Sequence, residues 1–282
     1  MSVPPLFTGL FDDAALFPPG NAAMPDAVSG HARYRQDWYA GLVARFVCPA
    51  GRLPELDDAL AGLDAEPAAL GSPEISMTVP GGPAELAAAL ASAEGCPRLR
   101  LGAVELPVTA TELPAALEHL GPAARRGLTV FAEIPVAEVS LELAAALHEA
   151  GLGLKLRTGG TTPAAFPGAG PLAAAIEAAV AAGVRFKCTA GLHNAVAHDD
   201  PATGFSHHGF LNVLLAVHST QAGGTPPAEL LADRDGAALA EQARTLSPTE
   251  VAAVRARFLS IGSCSIEEPL SDLIELKLVS AA

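Results

Sequence analysis

The chain has 282 residues, half of them hydrophobic and only 17% charged, with a formal net charge of −14. A surface this acidic argues against a nucleic-acid partner, because a phosphate backbone needs a basic face. Four cysteines (Cys48, Cys96, Cys188 and Cys264) are scattered without a Cys-x-x-Cys pair. They read as reduced thiols of a cytoplasmic protein rather than as a disulfide frame.

The N-terminal start lacks the charged and apolar regions of a signal peptide, and no apolar run is long and uncharged enough for a bilayer, so no membrane partner is expected. Residues 1–24 are apolar and end in Pro18-Pro19-Gly20, with the acids Asp12 and Asp13 in their middle. They read as an N-terminal arm that plugs one end of the fold, or as one that brings Asp12 or Asp13 to the mouth of a site. An arm this apolar is also compatible with a homodimer.

From residue 25 onward, apolar alternation and helical periodicity take turns. Strand patterns cover 42–48, 75–79, 99–104, 128–134, 152–157, 184–189 and 258–262. Helical patterns cover 25–39, 53–63, 84–93, 113–120, 141–150, 172–182, 210–219 and 269–278. Strands separated by helices at this spacing form βαβ units and a parallel sheet. So many units in one chain favour a single (β/α)8 TIM-like barrel over 25–282. A further helix opens at Ser247-Pro248-Thr249-Glu250, a capping box with proline at the first position. The seventh strand is the weak place: residues 236–243 read either as a poor strand or as more helix. No Gly-x-Gly-x-x-Gly follows a first strand, which removes the dinucleotide-binding fingerprint.

In such a barrel the chemistry lies at the C-terminal ends of the strands. Alternation puts Lys155 and Arg157 on one face of their strand, and Lys187 and Thr189 on one face of theirs. Glu133 shares its face with Thr129 and Phe131. Arg45, Ser76, Thr78, Ser260 and Ser263 sit on or just beyond other strands, while Glu105 has the wrong parity unless a bulge intervenes. Cations facing the middle of a parallel sheet are costly unless they do chemistry or hold an anion. Two readings follow. In one, Lys155 and Lys187 support Schiff-base chemistry, clustered cations lowering an amine pKa from about 10.4, with Glu133 moving protons. In the other, the lysines and Arg157 form a buried ion network with Glu133 or clamp an anionic ligand, with Thr158 and Thr189 beside them.

A second constellation follows residue 189. His193, His198-Asp199-Asp200 and His207-His208 lie in one loop, and Asn212 sits on the first turn of the next helix. His193, His207 and His208, with Glu133, are an alternative set of ligands for a divalent metal, although no zinc-motif spacing is present. The competing reading is a polar loop with His208 bonded at a helix start. Ser263 lies where barrels often bind phosphate, whereas Ser265 with Glu268 makes a helix cap.

The pair Lys155-Leu156-Arg157-Thr158-Gly159 and Lys187-Cys188-Thr189-Ala190-Gly191, 32 positions apart, resembles the two lysine-bearing strands of deoxyribose-phosphate-aldolase-type class I aldolases. That resemblance implies Lys155 as the Schiff-base nucleophile and Lys187 as the group that lowers its pKa, with no cofactor. Arg157 departs from the pattern, and no acid is clearly placed as proton shuttle. Over nearly its full length the chain also resembles a bacterial and plant protein family. The marks are Leu16-Phe17-Pro18-Pro19, Arg157-Thr158-Gly159-Gly160, Thr189-Ala190-Gly191-Leu192-His193, His208-Gly209-Phe210-Leu211-Asn212 and Gly262-Ser263-Cys264-Ser265. This second resemblance implies no activity.

The expectation is therefore an enzyme acting on a small anionic or carbonyl-bearing metabolite, an aldolase-like lyase using Lys155, Lys187 and Glu133. Arg157, Thr158, Thr189, His193, His208, Asn212, Ser263 and Asp12 are the candidate substrate-binding residues. The alternatives are a metal-dependent lyase, isomerase or hydrolase, and a non-catalytic binding or assembly protein.

Overall fold

The computed structural model describes residues 3–63 and 73–281. Eight parallel strands close into a barrel: β1 (Phe11–Asp13), β2 (Val43–Pro49), β3 (Glu74–Thr78), β4 (Arg100–Pro107), β5 (Thr129–Glu133), β6 (Gly153–Arg157), β7 (Phe186–Thr189) and β8 (Phe258–Ser263). Each pairs with the next, and β8 closes on β1. The (β/α)8 TIM-like architecture expected from the sequence is the observed one.

Two details differ from the sequence reading, and they explain each other. Residues 1–24 are more than an arm, because Phe11–Asp13 is the first strand, set between β8 and β2. Three residues, two of them acids, carry too little apolar alternation to read as a strand. What holds them is backbone pairing, with Ile261 donating to the Leu10 carbonyl and Ala14 to the Ser263 carbonyl, each at 2.7 Å. With β1 supplied there, no strand is needed between β7 and β8. Residues 236–243, the weak strand candidate, lie in a helix (Gly236–Thr245) capped by Asp235 and buried through Leu239, Ala240 and Ala243. Apolar residues at spacings of one, three and four fit a helix face and not a strand.

The helices facing the barrel bury apolar stripes. Two matter for the site: α1 (Met24–Tyr34), which packs on β1 and β2, and α2 (Leu53–Leu63). Asp13 points outward and holds α1, its Oδ2 lying 3.0 Å from His31 Nδ1. The capping box at Ser247 is formed in both directions with Glu250. The stretch Pro163–Ala182 meets the length and hydropathy of a membrane span, which the sequence reading had excluded for every segment. Its continuous α-helical part is only Ala169–Ala182, which buries Leu172, Ala173, Ala175, Ile176 and Ala179.

Inside the barrel, register decides which side chains meet. Glu133 pairs with Lys155 and Lys155 with Lys187, so these three form one rank. Below it Glu105 pairs with Phe131 and Phe131 with Gly153. The missing side chain of Gly153 makes room for the Phe131 ring, since a Cβ there would stand 2.7 Å from it.

Candidate active site

A bulge brings Glu105 into the barrel. The β3–β4 register steps from Ile75 opposite Leu101 to Ser76 opposite Ala103, leaving Gly102 as an extra residue on β4. That residue reverses the parity of everything after it. A Cβ there would lie 2.1 Å from Glu74 Oε1, so a larger residue would displace the Glu74 side chain.

Glu105 then becomes the hub of a buried chain of alternating charges. Its Oε1 accepts from Lys187 Nζ at 2.6 Å and from the Ser76 hydroxyl at 2.5 Å, and its Oε2 lies 2.7 Å from Lys155 Nζ. Lys187 also donates to Asp12 Oδ2 at 2.6 Å, and that oxygen accepts from the Ser260 hydroxyl at 2.5 Å. Asp12 Oδ1 accepts from the Arg45 backbone N–H at 3.1 Å. On the other side Lys155 lies 2.8 Å from Glu133 Oε2, and Arg157 Nε donates to Glu133 Oε1 at 2.7 Å. Three carboxylates therefore interleave with three cations, and the set is neutral as a whole.

Exposure grades the chain from floor to mouth. Lys187 is 1% exposed, Lys155 is 5% exposed, and the Arg157 side chain 49%. Above them opens a cavity of about 650 Å³ lined by Lys155, Lys187, Glu105, Glu133, Arg157 and Thr189. Phe17, Phe166 and Phe205 add apolar wall. Thr78 Oγ1, also on this wall, is buried with no hydrogen-bond partner and is available to a bound polar group. Arg157 uses only Nε on Glu133, which leaves its outer nitrogens to face the mouth.

The electrostatics depart from the expectation that clustered cations lower a lysine pKa. Burial acts to lower the Lys187 pKa, but Asp12 and Glu105 outweigh it and raise the value above normal. Burial likewise acts to raise the Glu105 carboxyl, and Lys155 and Lys187 overcome this and hold it well below the usual carboxylate range. At Glu133 burial again acts upward and is outweighed by Lys155 and Arg157, so its pKa is lowered. The physical reason is the interleaved acids, two of which, Asp12 and Glu105, the sequence left unassigned to this rank.

These shifts fix the sign of the pH dependence. A depressed carboxylate contributes its stability above its ordinary pKa of about 4.3 and loses it as pH falls through the folded value. The raised Lys187 contributes fully below about 10.4 and loses its contribution as pH rises through its higher folded value. Thermal unfolding should therefore show a Tm that falls on the acid side, with a gentler acid slope in Glu133→Gln. An unchanged slope in that variant contradicts the coupling.

The structure separates the remaining candidates. Thr189 and His193 line the cavity, and so does His207, whose ring is tilted against Phe166 with centroids 4.6 Å apart. Asp12 reaches the site through Lys187. Thr158 is fully buried and ties two mouth loops together, its hydroxyl donating to the Ala190 carbonyl at 2.5 Å. Ser263 is buried as well and donates to the Ser265 carbonyl at 2.5 Å. His208 and Asn212, expected at the mouth, are placed elsewhere and spent on the scaffold. His208 Nε2 and Nδ1 face the carbonyls of Pro167 (2.7 Å) and Leu231 (3.2 Å). Asn212 accepts from Ala197 N–H at 2.9 Å and donates to the carbonyls of Leu230 (2.6 Å) and Asp233 (2.8 Å). Between them, a Cβ on Gly209 would stand 2.2 Å from the Ala195 carbonyl, which accounts for the whole His208-to-Asn212 motif as a structural joint. Asn212→Ala leaves two buried backbone groups and one part-buried carbonyl without their partner and should cost at least about 2 kcal/mol in denaturant unfolding.

The alternative metal set is not assembled, since His208 points into backbone and His193 Nδ1 lies 3.0 Å from Glu268. Among the described residues no three His, Cys, Asp or Glu side chains converge as metal ligands. Cys264 lies 3.7 Å from His193 Nδ1, but burial pushes its thiol pKa up, which disfavours the nucleophilic thiolate. No protein-family model matches the chain, and a comparison with curated proteins finds no match.

Proposed function

We propose that the protein is an aldolase-like lyase that forms a Schiff base between Lys155 and a small carbonyl substrate. The observation that carries this reading is the position of Lys155: an amine at the cavity floor, held between two carboxylates and backed by a second, fully buried lysine. The resemblance of the two lysine-bearing strands to class I aldolases supports the same assignment.

The chemistry follows from the distances. Lys155 gives a proton to Glu133, 2.8 Å away, and the free amine adds to the carbonyl carbon. The resulting carbinolamine hydroxyl takes a proton and leaves as water, which gives an iminium ion. In the cleavage direction a carboxylate removes the proton of the substrate β-hydroxyl, and the bond between the α and β carbons breaks. An aldehyde leaves, and the electron pair remains as an enamine on Lys155. Protonation of the enamine carbon and addition of water return the amine and release the second carbonyl product.

Lys187 stays cationic between Asp12 and Glu105 and fixes the Glu105 carboxylate beside Lys155. Arg157 holds Glu133 and offers its outer nitrogens to an anionic group of the substrate. Enamine formation makes the substrate α-hydrogen exchangeable, which gives a test that needs no knowledge of the cleaved bond. Short aldehydes, ketones and keto-acids incubated in D2O should gain deuterium at the α-carbon with the wild type and not with Lys155→Ala. No exchange across the panel contradicts the reading.

A further inference from the structure

A second cavity, of about 370 Å³, lies at the other end of the barrel, where β2, β3 and β4 begin. Apolar wall comes from α1 and α2 through Val28, Leu56 and Leu60. Three arginines line it, Arg35, Arg45 and Arg100, and among the described residues the one carboxylate on its wall is that of Glu74. In a chain with 31 acids and 17 arginines and lysines, such a local excess of cations runs against the overall balance.

The arginines are poorly served by what surrounds them. Glu74 lies 3.4 Å from both Arg45 Nε and Arg100 Nη2, longer than the 2.7–2.9 Å typical of a tight charge-assisted bond. Arg35 makes one long bond, 3.5 Å, to the Val43 carbonyl. Beyond that long ion pair with Glu74, Arg45 Nε is buried and has no hydrogen-bond partner among the described residues. His31, also on the wall, already has Nδ1 on Asp13. Among the described residues, three guanidinium groups thus face one carboxylate, a local excess of two positive charges. Planar guanidinium forks match phosphate oxygens.

We propose that this cavity binds a phosphoryl dianion, as free phosphate or as the head of a small phosphate monoester whose organic part lies on the apolar wall. The ligand charge matches that local excess, and the phosphoryl oxygens supply acceptors for the guanidinium donors that lack them among the described residues. The site is independent of the reaction assigned to Lys155 and stands or falls separately.

The test is titration calorimetry on the full chain with inorganic phosphate and with phenyl phosphate. One saturable site is expected in the wild type and in Arg157→Gln, whose arginine belongs to the other end of the barrel. The double variant Arg35→Gln/Arg100→Gln changes two exposed side chains and should bind at least about tenfold more weakly. Tighter binding of phenyl phosphate identifies the ester as the ligand, and equal binding identifies free phosphate. The proposal is overturned if neither probe binds saturably, if the double variant binds as the wild type does, or if Arg157→Gln abolishes binding.

Discussion

Lys155→Ala should reduce turnover by about four orders of magnitude or more, the scale of losing a covalent nucleophile, while the folded barrel is retained. Lys155→Arg should be equally inactive, because a guanidinium does not deprotonate near neutral pH and cannot become the attacking amine. The two variants together separate covalent chemistry from charge alone, since a site that needs only a cation to hold an anion keeps function in the arginine variant. Arg157→Gln is expected to act differently, raising KM for anionic carbonyl substrates more than it lowers kcat. Retained turnover in Lys155→Ala, measured with a substrate found by the deuterium-exchange panel, rules out the covalent assignment.

Glu105→Gln should be the most destabilising conservative change in the molecule, at about 3–5 kcal/mol in denaturant unfolding. Glu105 is buried and bonded to two buried lysines and Ser76, so its neutralisation leaves Lys187 with Asp12 alone and Lys155 with Glu133 alone. Removing one partner from a buried ion network costs more than removing the network as a whole. The quadruple variant Asp12→Asn/Glu105→Leu/Lys155→Met/Lys187→Met, which also neutralises the buried partner of Lys187 and leaves Glu133 with Arg157, should accordingly recover part of the loss, relative to Glu105→Leu, while remaining inactive. If Glu105→Gln unfolds with the wild-type midpoint, the carboxylate is not the hub described above.

How much of this was legible in the sequence depends on whether a residue obeys its local period. Alternation was sufficient for Lys155, Lys187 and Glu133, because β5, β6 and β7 pair in simple register. It failed for Glu105, where the extra residue Gly102 inverts the count. A glycine inside a strand pattern is the available cue for such a bulge. It also failed for β1, whose three residues are held by neighbours distant in sequence and carry no pattern of their own. Asp12 was therefore visible as an unusual acid near the chain start but not as the partner of Lys187, 175 positions away. His208 and Asn212 show the opposite limit: polar residues beside a glycine at a helix start look the same in sequence whether they face a ligand or their own backbone. Only the carbonyls of Pro167, Leu230, Leu231 and Asp233 distinguish the two, and those lie on other segments.

The proposed chemistry turns on a covalent bond at one nitrogen, which borohydride reduction traps. The protein is incubated with the aldehyde, ketone and keto-acid panel, reduced with sodium borohydride, digested and mapped by mass spectrometry. A secondary-amine adduct is expected on Lys155, absent in Lys155→Ala, with Lys187 unmodified behind its two carboxylates. An adduct on Lys187 instead, or no lysine adduct with any carbonyl compound, contradicts that chemistry.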